Sequence, residues 1–186
     1  MTIADYDFTR LPTLETSRLR LEPQGAGHVD GLWAGVNDPE TLRLTGTHAR
    51  FTEEQIRAWL DTVATADDRA DWAVVRRDTS QYLGEVVLND LDRDNSSMGY
   101  RIALSGPGAI GQGYGTEAGR AVVAHAFEVI GLHRVALEVY AFNARAMRSY
   151  RTIGFIAEGR MRDALRWDGE WVDALMMSIL STDPRG

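Results

Sequence analysis

The chain contains no cysteine. That excludes disulfides, thiolate zinc sites and thiol nucleophiles, and it fits a reducing cytoplasm. A basic surplus is also missing: the formal net charge is −7 over 186 residues. This argues against a nucleic-acid partner or an anionic membrane surface and tilts toward basic partners such as amines or cationic peptides. No apolar run approaches membrane-spanning length. Met1 to Thr16 lacks the basic start and apolar core of a signal peptide, so a cytoplasmic location is expected. The histidines His28, His48, His125 and His133 include no pair at the i, i+4 spacing of a helical metal site. His125 and His133 read as packing residues. Asp90, Asp92 and Asp94 alternate with Leu91 and Arg93, but the glycine and distal glutamate of a calcium loop are absent, so a solvated hairpin is expected. No metal is expected.

What is present suits one domain with a sizeable core. We expect an arm over 1–16, a single domain over 17–181 and a short tail over 182–186. Arg18 to Glu22 alternates as a strand and is stopped by Pro23. Gly27 to Asn37 reads as a helix, and Asn37-Asp38-Pro39 as a turn. Thr52 and Gln55 form a capping box for a helix running to about Ala66. Trp72–Arg76, Tyr82–Leu88 and Met98–Leu104 read as strands, with Asp90 to Ser97 as a charged loop. Ser105-Gly106-Pro107-Gly108 ends the third of these. A helix is expected from Tyr114 to Ile130 with Gly131 as its stop. Val135–Ala141 is a strand, and Asn143 to Ile153 a helix ended by Gly154. Phe155–Arg160 and Glu170–Leu180 are strands around the turn Trp167-Asp168-Gly169. The order β-α-α-β-β-β-α-β-α-β-β predicts an α/β fold, of α+β type, with helices packed on a mixed sheet.

The most informative stretch is Ile110-Gly111-Gln112-Gly113-Tyr114-Gly115-Thr116. Alternating glycines that open a helix can bring several backbone N–H groups and the positive helix end onto one phosphate. No Lys-Ser/Thr follows at Walker A spacing, and the position so late in the chain does not suit a dinucleotide fingerprint. Two readings stay open for the loop alone: an anion cradle, or a tight turn at a helix start.

The loop does not stand alone. His133-Arg134-Val135, Leu137-Glu138-Val139, Asn143-Ala144-Arg145-Ala146, Tyr150, Gly154-Phe155 and Gly159-Arg160-Met161-Arg162-Asp163 follow it. The combination resembles the GNAT acetyltransferase superfamily, and within it the RimJ/RimL-like branch that includes ribosomal-protein N-terminal alanine acetyltransferases. The resemblance spans roughly Arg18 to Leu180 and is strongest from Met98 onward.

The resemblance implies a GNAT-type fold in which two central parallel strands, Met98–Leu104 and Val135–Ala141, splay apart. It implies acetyl-CoA as co-substrate, with the pyrophosphate on backbone N–H groups of Gly111, Gln112, Gly113, Tyr114, Gly115 and Thr116. Ile102, Ala103 and Leu104 would meet the pantetheine amides. Tyr150 would be the general acid at the thioester sulfur, and Asn143 would hydrogen-bond the cofactor or order a water. Each of these two also has a plain reading, Asn143 as a helix cap and Tyr150 as half-buried core. For the base, Glu138 and then Glu85 are the candidates, against a reading of both as solvated strand-face charges. Two positions depart from the family pattern. Ile110 stands where Gln or Arg is usual, with Gln112 as a partial substitute, and Ser97 stands where an acidic residue is usual.

The expected reaction is direct acetyl transfer to an amine, either a protein N-terminus or a small molecule such as an antibiotic, polyamine or amino acid. A non-catalytic CoA-binding or regulatory domain is the competing class. A homodimer is compatible with the sequence. Trp167 could line the acceptor site, and Arg160, Arg162 and Arg166 near Asp163 form either a surface ion-pair cluster or a carboxylate clamp.

Overall fold

A computed structural model describes residues 3, 6–106 and 108–184. Pro107, part of the expected strand stop, and residues 1, 2, 4, 5, 185 and 186 of the expected arm and tail lie outside the described residues. The strands are β1 (Leu14–Glu15), β2 (Leu19–Pro23), β3 (Ala70–Arg76), β4 (Tyr82–Asp92), β5 (Ser97–Leu104), β6 (Arg134–Tyr140), β7 (Ile156–Trp167) and β8 (Glu170–Leu180). The helices are α1 (Val29–Val36), α2 (Pro39–Thr45), α3 (Glu53–Val63), α4 (Tyr114–His125) and α5 (Ala144–Ile153). One sheet runs β1-β2-β3-β4-β5-β6-β8-β7. Every pairing is antiparallel except β5 with β6. No helix among the described residues is long and apolar enough to cross a membrane.

Strand alternation sends apolar side chains to both faces of this sheet, and each face is covered. Val86, Leu88, Met98, Tyr100, Val135, Leu137 and Val139 share one core with Ala118, Val122 and Val123 of α4 and with Tyr150 and Ile153 of α5. On the other side Val29 and Leu32 of α1 meet Ile56 and Leu60 of α3, with Tyr82 packed against them. Full burial of such side chains stabilises by about 1.5–3 kcal/mol each.

Local chemistry explains most element ends. The Thr52 hydroxyl accepts from the Gln55 N–H at 3.2 Å, and the Gln55 side chain accepts from the Thr52 N–H at 2.8 Å. The turn expected at Asn37-Asp38-Pro39 instead opens α2: Asp38 caps it by accepting from the Thr41 N–H at 2.8 Å, with Pro39 in the first helical turn. Asx turns and helix N-caps use the same side-chain acceptor, and Pro suits both. The expected charged loop over 90–97 shortens, because β4 extends to Asp92 and pairs it with Ser97. The helix expected to Ile130 keeps α-geometry to His125 and widens into a π-turn over Ala126–Ile130, capped by Gly131 at φ 85°. The strand expected to end at Arg160 continues to Trp167, exposed along almost its whole length. With solvent on both faces, no apolar alternation marked it.

Gly84 leaves no room for a side chain against β5. Its φ is 144°, and a Cβ built there would lie 2.0 Å from the Ala103 carbonyl oxygen. Gly84 pairs with Leu104, so this contact sets the end of β5. Gly84→Ala is therefore expected to destabilise by about 3 kcal/mol, through forbidden backbone geometry and a backbone clash together. Urea unfolding measures this, and a loss within about 0.5 kcal/mol, the usual range for an inert surface change, would contradict the close approach.

Candidate active site

β5 and β6 pair only through Ser97 with Arg134, Met98 with Val135 and Gly99 with Ala136. Beyond that point they part. β5 stays paired to β4 out to Leu104, and β6 stays paired to β8 out to Tyr140. Each strand thus keeps one ladder and loses the other, leaving backbone donors and acceptors along the gap without partners across it. An extended ligand rich in amides could satisfy them as an added strand would.

A cavity of about 690 Å³ opens at this gap. Ile102, Ala103 and Leu104 line it from β5, and Glu138 from β6. Gly111, Gly113, Tyr114, Gly115 and Thr116 line it from the glycine loop and the start of α4, and Asn143 and Tyr150 from α5. Among the expected cofactor-binding residues, Gln112 does not line it. Its side chain is exposed, and its carbonyl accepts from Arg18 Nη1 at 3.0 Å. Ile110 does line the cavity, and its apolar side chain packs onto the core, where it anchors the loop. Trp167 stacks on His48 at 5.1 Å and is not a cavity wall. Arg160 pairs with Asp173 on the neighbouring strand, and none of Arg160, Arg162 and Arg166 lines the cavity.

The glycine loop is shaped by left-handed backbone. Gly111 and Gly113 have φ of 79° and 81°, and Gly113 caps α4 with no side chain contributing. This is the kind of geometry that turns successive N–H groups into an anion concavity at a helix N-terminus. A network invisible to local sequence reading holds it in place. Glu117 accepts from the Thr16 hydroxyl at 2.6 Å, the Arg18 N–H at 2.9 Å, the Ser17 hydroxyl at 3.0 Å and Arg18 Nε at 2.7 Å. The Arg18 guanidinium also lies 4.6 Å from the centre of the Tyr114 ring. Burial pulls the Glu117 carboxyl upward, but the hydrogen bonds from Thr16, Arg18 and Ser17 outweigh it and hold the group below the usual carboxylate range.

Tyr150 is buried, with its ring edge-on to Tyr100 at 6.0 Å. Burial pushes its phenol up to about 12, so the hydroxyl stays protonated and able to donate throughout the neutral range. Asn143 caps α5, its side-chain oxygen accepting from the Ala146 N–H at 3.1 Å. Its cap role and its place on the cavity wall coexist. Glu138 is exposed on the face of β6 opposite the buried Leu137 and Val139. Glu85 is buried and does not line the cavity, but it accepts from Arg101 Nη2 at 2.8 Å, and Arg101 does line it. Burial raises the Glu85 carboxyl above its usual range, against the downward pull of Arg101. Sequence reading missed Arg101 and the α2 wall formed by Thr41, Leu44 and Thr45. The signal for the start of α2 is Asp38-Pro39, which fits a turn and a helix start equally well.

Residues 18–156 match the acetyltransferase (GNAT) domain. The chain belongs to the GNAT acetyltransferase family. It is 26% identical over 174 residues to the uncharacterised N-acetyltransferase YoaA of Bacillus subtilis, covering 91% of this chain and 97% of that protein. It is 33% identical over 105 residues to B. subtilis YdaF, whose name assigns it provisionally to ribosomal N-acetylation, covering 55% of this chain and 56% of that one. The spermidine N-acetyltransferase of Vibrio cholerae, solved with CoA and spermine, shares the fold at a TM-score of 0.84 and 18% identity, covering 90% of this chain and 98% of that chain. This GNAT protein is an enzyme of the acyltransferase class, and an N-acetyltransferase.

The Glu117 network yields a stability prediction. Glu117→Gln should lower unfolding free energy at pH 7 by about 1–3 kcal/mol, the usual loss for hydrogen bonds to a charged group. A depressed carboxyl contributes stability that is fully present above its unfolded pKa and is lost as pH falls through the folded value. The gap between wild type and variant should therefore narrow as pH drops below about 4.5, the ordinary glutamate value. Urea midpoints across pH 3–7 test this, and a gap that widens on acidification would contradict the network.

Proposed function

We propose that the chain transfers an acetyl group from acetyl-CoA directly to a primary amine, without a covalent enzyme intermediate. The observation that carries this reading is the parting of β5 and β6 beside a left-handed glycine loop, with Tyr150 on the cavity wall. The loop amides of Gly111, Gly113, Tyr114, Gly115 and Thr116 take the pyrophosphate, and the freed edge of Ile102–Leu104 takes the pantetheine amides. The Gln112 side chain takes no part, because it is exposed and does not line the cavity.

The chemistry then needs only proton management. The amine nitrogen bonds to the thioester carbonyl carbon, and the carbon–sulfur bond breaks. Tyr150 gives its phenolic proton to the departing thiolate. Glu138, on the opposite face of the gap, accepts the proton that the amine loses, through a water. One proton leaves the nitrogen and one reaches the sulfur, so the exchange balances once Tyr150 is reprotonated. Asn143, with its oxygen engaged in the helix cap, has its amide N–H groups left to hold the cofactor or that water. The ribosomal-type branch, with a protein N-terminus as acceptor, draws its support from the motif resemblance and from the partial match to YdaF. The Vibrio enzyme shows that the same fold serves a polyamine, so fold alone does not select the acceptor.

Calorimetry should detect acetyl-CoA binding, and no binding at millimolar ligand would overturn the proposal. Tyr150→Phe should lower kcat by about a hundredfold or more, the usual contribution of a placed acid, with acetyl-CoA affinity nearly unchanged. Because burial holds the phenol up to about 12, Tyr150 should impose no basic limb on kcat below pH 10. A basic limb near neutrality that disappears in Tyr150→Phe would contradict the raised phenol, and an unchanged kcat in that variant would remove Tyr150 from the acid role.

A further inference from the structure

The register of the gap puts opposite charges on its two lips, on the same face of the sheet. Gly99 and Ala136 are the last partners of the β5–β6 ladder. Side chains alternate along a strand, so the next residues on that same face are Arg101 on one lip and Glu138 on the other. Both line the cavity. This is the face away from the core that holds Leu137, Val139 and Tyr150. In the reading above it is the face from which the acceptor arrives.

Arg101 is held in an unusual way. Its side chain is 48% exposed, yet its partner Glu85 is only 7% exposed. Glu85 uses one oxygen for Arg101 Nη2 at 2.8 Å, and its other oxygen is buried with no partner among the described residues. Burying a carboxylate is unfavourable unless it is paired and hydrogen-bonded, and Arg101 is the partner here. The pairing fixes a guanidinium at the lip of the cavity. Only one of the five N–H donors of Arg101 has a partner within the described residues. The remaining planar fork matches a carboxylate, which can take two parallel hydrogen bonds from it. The other acid on this part of the wall, Asp90, is already engaged by the Asn89 amide at 2.9 Å.

We propose that the acceptor is a small amine that also carries a carboxylate, of the amino-acid type, with the carboxylate on Arg101 and the amine toward Glu138. The proposal rests on the acetyl-transfer reading of the site and narrows its substrate class. A polyamine presents only cations and leaves the remaining donors of the Arg101 fork without an acceptor. A zwitterionic acceptor satisfies both lips at once, and its orientation delivers the nitrogen, not the carboxylate, to the side of the proton acceptor.

The test uses the whole chain with acetyl-CoA and matched acceptor pairs that differ by one carboxylate: alanine and ethylamine, leucine and isoamylamine, phenylalanine and phenethylamine, with spermidine alongside. Thiol release gives kcat/KM for each. The carboxylated member should win by at least about tenfold, the usual range for a charge-assisted hydrogen bond. Arg101→Gln should collapse that ratio toward one, chiefly through acceptor KM, and Arg101→Lys should retain part of it. A merely structural role for Arg101 would lower both members of each pair together. Equal rates within the pairs, preference for spermidine, no turnover of any carboxylated amine, or a ratio untouched in both Arg101 variants would each overturn the carboxylate assignment while acetyl-CoA binding stands. Absence of acetyl-CoA binding in the parallel calorimetry would instead overturn the transfer reading beneath it.

Discussion

The fold turns on one incomplete ladder. β5 and β6 share only the register from Ser97–Arg134 to Gly99–Ala136, and the cavity opens where they part beyond it. A parallel pair at the centre of a sheet is normally closed and buried, because its backbone groups have no other partners. Here the outer ladders to β4 and β8 keep both strands in the sheet, so the cost of opening falls on a few inner-edge groups. The opening joins the two faces of the sheet. One face carries α4, α5 and the glycine loop, and the other carries Arg101, Glu138 and the α2 wall. A ligand on one side can therefore meet a second on the other with no side-chain carrier between them.

Around that gap the structure uses charge to fix positions. Arg18 and Glu117 stitch the β1–β2 turn to the first turn of α4, which fixes the position of the glycine loop. Pre-ordered donors lose less entropy on binding than a mobile loop would. Glu85 does the same for Arg101 from inside the sheet. Tyr150 is handled differently. It is kept neutral by burial among aromatic rings, so its hydroxyl stays able to donate.

The parts of this arrangement that were legible in the sequence were local. The Thr52 capping box, the Asn143 cap, the Gly131 stop and the glycine loop each depend on a few neighbouring residues, and each lies where spacing put it. What was not legible was ambiguous or long-range. Asp38-Pro39 fits a turn and a helix start equally well. The length of β7 was hidden because a strand exposed on both faces carries no apolar period. Arg18 and Glu117 stand 99 residues apart, and no pattern within either segment announces the pair. The gap itself came from the family resemblance, not from any periodicity, since splayed and closed strands have the same alternation.

The central claim is that the unpaired inner edges of β5 and β6, with the glycine loop, form the seat of acetyl-CoA. Amide hydrogen exchange with and without the ligand tests it most directly. The account predicts that acetyl-CoA slows exchange at Ile102–Leu104 and at Gly111–Thr116, while β2 and β3, paired on both sides, stay unchanged. Binding that protects some other surface, or leaves the β5 edge exchanging freely, would contradict it.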